Sequence, residues 1–194
     1  MEKTRQLAAV LSILLTVLLV LNILVLPFIP GLVVMGRASS RPLSEQLSSL
    51  FFTQPEDSFF YMSPAFFFGL ALVGVWGEDP ATVVLTVFLL ACALCSAVIL
   101  RQGLRVLRTV RAGQPFQHAN ARSLRIAAIC CFLVCCMALV RCIWSCMYFH
   151  SLSPLFTYNA LFIPVFLMAG LLCLVMASLF GQAAVLREEN DLTI

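Results

Sequence analysis

A basic run from Arg101 to Arg125, set between two long apolar runs, constrains this chain more than any other stretch. It carries six of the twelve Lys and Arg residues and no acidic residue. Its apolar flanks, about 81–100 and 126–149, each reach the roughly 20 residues that a helix needs to cross a hydrocarbon core of about 30 Å. A short connector this basic stays on the cytoplasmic side, because translocation discriminates against Lys and Arg. One loop therefore orients every other segment.

The composition agrees with a membrane setting. Hydrophobic residues make up 62% of the 194 and charged residues only 11%, against about 25% charged in soluble domains. Four apolar runs, about 7–26, 81–100, 126–149 and 160–179, predict an all-α membrane protein. The expected architecture is a four-transmembrane-helix bundle, a single integral membrane domain over 1–194 with both ends cytoplasmic in the cell membrane. The net charge of +3 comes from the connector, so direct nucleic-acid binding is not expected.

Leu7–Leu26 is longer than the 7 to 15 apolar residues of a signal-peptide core, so the first helix is expected to be uncleaved. Pro27 and Pro30 should weaken it, with the chain emerging near Gly31–Gly36. Within this run Asn22 could bond across to another helix or simply pack locally. The region 37–80 is expected to be an external interfacial segment between the first and second spans. Its acids outnumber its two basic residues, and Phe59, Phe60, Tyr61, Phe66, Phe67, Phe68 and Trp76 suit the headgroup layer. It reads either as a surface anchor or as a cap over the bundle.

Asp79-Pro80 resembles a helix start, and the helix it opens should continue past the bilayer. Arg101, Arg105 and Arg108, at spacings of four and three, would line one face of that extension, where they could meet anionic lipid headgroups. Gly113 and Pro115 should break the helix, and Asn120 is a plausible cap for the next. In the third span, Cys131, Cys135, Cys142 and Cys146 fall on one face as a small-residue stripe. Arg141 lies about 12 Å before that helix's external end, close enough to snorkel near Trp144, Tyr148 and His150, and membrane-embedded charge is also a functional hint. In the fourth span, Pro164 is expected in the first turn or so, while Gly170, Ala177 and Gly181 allow close packing.

All nine cysteines lie in apolar runs, where Cys packs as a small hydrophobe. Cys92-x-x-Cys95 leaves a thiol oxidoreductase conceivable, but there is no second pair. The spans hold no Asp or Glu to act as acid or base, and no H-E-x-x-H, G-x-S-x-G or P-loop pattern is present. Neither enzyme activity nor a cofactor or metal is expected.

The chain ends in Leu186-Arg187-Glu188-Glu189-Asn190-Asp191-Leu192-Thr193-Ile194. Acids at a helix C-terminus oppose the macrodipole, so either the connector's arginines should compensate Glu188, Glu189 and Asp191 or the tail is a solvated acidic end. That tail, together with Gly113-x-Pro115-Phe116-x-x-x-Asn120-x-x-x-Leu124-Arg125, resembles the two signatures of a bacterial membrane family catalogued as domain of unknown function 2975. The resemblance implies a small four-span protein of no established enzymology. It also implies a neighbouring helix-turn-helix regulator, because members are often encoded beside one.

Two function classes follow. In the first, the protein is a regulatory membrane protein that docks a cytoplasmic partner, such as that regulator. Arg101, Arg105, Arg108 and Arg111 then supply charge, and Glu188, Glu189, Asn190 and Asp191 supply the specific surface. In the second, it is a small transporter or a lipid- or ligand-binding module built on Arg141 and the external aromatic group. Assembly as a homo-oligomer is compatible with either.

Overall fold

The structure, a computed structural model, describes residues 2–38, 75, 80–113, 117–150 and 158–191. Five α-helices account for nearly all of them: α1 Glu2–Val25, α2 Ile29–Ala38, α3 Pro80–Arg111, α4 His118–Phe149 and α5 Tyr158–Asp191. A 3-10 turn, Leu26–Phe28, joins α1 to α2. No strand occurs among the described residues. Four segments are long and apolar enough to cross a membrane: Gln6–Val33, Pro80–Arg111, His118–Tyr148 and Ala160–Asn190. The expected external segment at 37–80 lies almost wholly outside the described residues, and so does its aromatic group.

The prolines of the first span act more gently than expected. The helix does weaken at Pro27, but it resumes at Ile29 and runs to Ala38. Pro27 falls in the first turn of the 3-10 segment and Pro30 is the second residue of α2, positions where the missing N–H costs no intrahelical bond. Pro164 differs in the other direction. Because α5 begins at Tyr158, Pro164 stands inside the helix and removes the amide that would have bonded the Ala160 carbonyl.

By backbone proximity the chain falls into two compact units, Leu24–Leu90 and a larger one made of Met1–Ile23 with Ala91–Ile194. In the smaller unit Pro30, Val33, Ala81, Thr82 and Phe88 are buried. Thr86 donates to the Thr82 carbonyl at 2.8 Å, which returns a hydroxyl to its own helix as apolar surroundings require.

The larger unit is built on the antiparallel pair α4 and α5. Its register can be read from contacts at successive levels. His118 meets Glu188, the Ala121 methyl lies 3.9 Å from where a Cβ on Gly181 would stand, and the Phe132 ring lies 3.1 Å from the same point on Gly170. Farther along, the Cys135 thiol donates to the Ile163 carbonyl at 3.5 Å. Small residues make this approach possible: Ala128, Cys131, Cys135, Ala138 and Cys142 on α4, and Ala177 and Ala184 on α5, are all buried. The expected cysteine stripe is therefore an interior face, although Cys146 is only half-buried.

The outer faces are as apolar as the interior. Val10, Ile129, Val140 and Leu172 are each more than 60% exposed. In water each such side chain would forgo about 1.5–3 kcal/mol of burial, whereas a lipid environment removes that penalty. The loss of one-sided patterning is what membrane helices show.

Candidate functional site

Beyond its apolar stretch α3 runs on to Arg111, and Gly113 follows at φ 76°. This left-handed residue just past the helix end is a common stop that glycine adopts without Cβ strain. The last amides fold back, Ala112 to the Arg108 carbonyl at 3.0 Å and Gly113 to that of Val110 at 3.1 Å. The next helix, α4, begins at His118, so only a short connector, here called the elbow, separates two long helices.

Asn120 does not cap α4. The cap position belongs to Gln117, in extended conformation, and Asn120 sits inside the first turn with its side chain turned towards α3. Its Nδ2 donates to the Thr109 hydroxyl at 2.7 Å. The single hydroxyl proton of Thr109 has two acceptors within reach, the Val106 carbonyl at 2.7 Å and Asn120 Oδ1 at 2.9 Å. Asn120 is 1% exposed, so this contact meets the hydrogen-bonding need of a buried amide.

Two open clefts flank the elbow. One, of about 710 Å³, is lined by Arg105, Arg108, Thr109, Asn120, Arg122 and Ser123, among others. The other, of about 610 Å³, has His118, Arg122 and Arg125 on α4 facing Ser178, Gln182 and Val185 on α5. His118 and Arg122 border both. Residues spaced four and three apart share a helix face, and this spacing is what aligns His118, Arg122 and Arg125. No carboxylate lines either cleft among the described residues.

Of the arginines singled out from the sequence, Arg105 and Arg108 line a cleft, whereas Arg101 and Arg111 are exposed and border neither. Arg105 Nη1 also makes a long contact, 3.4 Å, to Gln102 Oε1. Glu188 and Glu189 are exposed near the end of α5, as is Asn190, and the helix closes at Asp191. Glu188 Oε1 lies 3.4 Å from His118 Nε2. The acidic end of α5 and the start of α4 thus meet, through a histidine that sequence reasoning passed over in favour of the arginines. Arg122 and Arg125 could have been found by carrying the four-and-three spacing across the elbow. Thr109 carried no signal, because its role depends on tertiary proximity.

Arg141 is half-buried on α4. It lines neither cleft. Trp144 and Tyr148, one and two turns farther on, stack with ring centroids 4.9 Å apart. All nine cysteines are free thiols, including Cys92 and Cys95. No group of three His, Cys, Asp or Glu able to hold a metal occurs among the described residues.

Four apolar helices and a basic elbow define a small multi-pass helical membrane protein. A family model described as protein of unknown function (DUF2975) matches residues 51–194. The chain belongs to that family. No curated protein and no solved structure matches it.

Proposed function

We propose that the protein is a regulatory membrane protein whose elbow and α5 end form one docking face for a cytoplasmic partner. The observation that carries this reading is the approach of Glu188 to His118, which brings the acidic tail and the basic connector into a single surface. Arg101, Arg105, Arg108 and Arg111 supply positive charge on α3. Glu188, Glu189, Asn190 and Asp191 supply the opposite charge and the hydrogen-bonding groups on α5. Mixed charge of this kind favours orientation and selectivity over raw affinity. The positive-inside bias favours the cytoplasmic side of the cell membrane for the elbow and both chain ends. A small helix-turn-helix regulator is the partner suggested by the family resemblance, and the protein has no catalytic role in this scheme.

Transport through a site at Arg141 is the competing scheme, and it needs a polar cavity reaching that guanidinium. The clefts at the elbow lie where a cytoplasmic partner would dock. The test is copurification from membranes with and without residues 186–194. Loss of a cytoplasmic partner on truncation supports the docking face. Unchanged recovery removes it.

A further inference from the structure

We infer that the cleft bordered by Arg105, Arg108 and Arg122 is a binding site for a phosphate group, supplied by the headgroup of an anionic phospholipid. Three arginines from two helices line one cleft of about 710 Å³, together with the polar residues Thr109, Asn120 and Ser123. No carboxylate lines it among the described residues. Guanidinium forks match phosphate oxygens in pairs, and a hydroxyl such as that of Ser123 can complete the set.

Depth selects lipid as the source. Arg105 and Arg108 follow Leu100 by five and eight residues, about 7.5 and 12 Å along the helix, and Arg122 precedes Ile126 by about 6 Å. The headgroup layer adds roughly 5–8 Å on each side of the hydrocarbon core, and Arg side chains reach several ångströms along such a boundary. The three charges therefore stand at the level of lipid phosphates. The inference rests on the helices crossing a bilayer and not on any protein partner.

The test uses the full-length protein in dodecyl maltoside, with native mass spectrometry reading the binding of dioctanoyl phosphatidylglycerol, dioctanoyl phosphatidylcholine and inorganic phosphate. The phosphatidylglycerol should bind in preference to the phosphatidylcholine. A double variant, Arg108→Gln with Arg122→Gln, should weaken that binding about tenfold, as expected for a lost charge-assisted hydrogen bond. Lys3→Gln with Arg5→Gln, which removes the same charge from α1, should change it less than about twofold if the binding is local. Gel filtration confirms that each variant remains folded, and Arg108→Lys with Arg122→Lys, which keeps the charge but loses the forks, should fall between the two. Equal weakening by both Gln pairs, or equal binding of the two lipids, would overturn the site. Free phosphate binding as tightly as phosphatidylglycerol would overturn the lipid source. Failure here leaves partner docking standing, since removal of residues 186–194 tests that separately.

Discussion

The hydroxyl of Thr109 and the side-chain amide of Asn120 meet edge-on across the elbow, 2.7 Å from Nδ2 and 2.9 Å from Oδ1. The contact joins the end of α3 to the first turn of α4, beside the cleft that carries three arginines. Thr109→Val keeps the volume and removes the polar partner, so it should cost about 1–3 kcal/mol by depriving a buried amide of a hydrogen bond. Asn120→Leu should cost a similar amount. The double variant should cost less than the two single changes together, because residues in contact couple. Thermal unfolding of the three variants in detergent measures the cycle, and strict additivity would mean that the pair does not interact.

Gly170 faces the Phe132 ring at 3.1 Å from its notional Cβ. Gly170→Ala should be nearly neutral, since a gain in helix propensity of about 1 kcal/mol is set against a small shift of the ring. Gly170→Leu has no such room and should cost about 1–3 kcal/mol through overpacking. Adding Phe132→Ala should recover part of that loss. Detergent unfolding midpoints rank the three variants, and equal tolerance of Ala and Leu would exclude close α4–α5 packing here.

Much of this arrangement was legible in the residues. Runs of apolar residues near the length of a bilayer crossing located the four spans, Pro80 marked the start of α3, and the spacing of Cys131, Cys135 and Cys142 identified a face that is buried. Asn120 was misread as a cap because residues that favour caps also satisfy buried polar contacts, and only the position of Thr109 separates the two roles. The continuation of the first span through Pro27 and Pro30 was missed for a different reason. A proline's effect depends on whether it falls in a first turn, and that depends on where the helix restarts. His118 escaped notice because pairing with Glu188 is set by the α4–α5 register, which no local pattern encodes.

Thiol accessibility should follow position around α4. Cys131, Cys135 and Cys142 are buried, while Cys136 is exposed on the outer face. In detergent solution at raised pH, a small apolar maleimide should modify Cys136 ahead of the three buried thiols, which stay unmodified until the protein is unfolded. Peptide mapping by mass spectrometry gives the order, and early modification of Cys131 would contradict the interior placement of the stripe.

The His118–Glu188 contact is exposed on both sides, at 56% and 68%, so its role should be in recognition more than in stability. Surface pairs of this kind contribute about 0–1 kcal/mol. Glu188→Gln should therefore leave the unfolding midpoint nearly unchanged while weakening copurification of a cytoplasmic partner. A large loss of stability with the partner retained would reverse that assignment.

The proposed docking face requires the elbow and the end of α5 to share one side of the bilayer. In a cysteine-free background, Ala112→Cys and Leu192→Cys can be labelled separately with a membrane-impermeant maleimide, in intact cells and in inverted vesicles. Both positions should be protected in cells and react in inverted vesicles. Labelling of position 192 in intact cells, with position 112 still protected, would place the two ends of the proposed face on opposite sides of the membrane and contradict it.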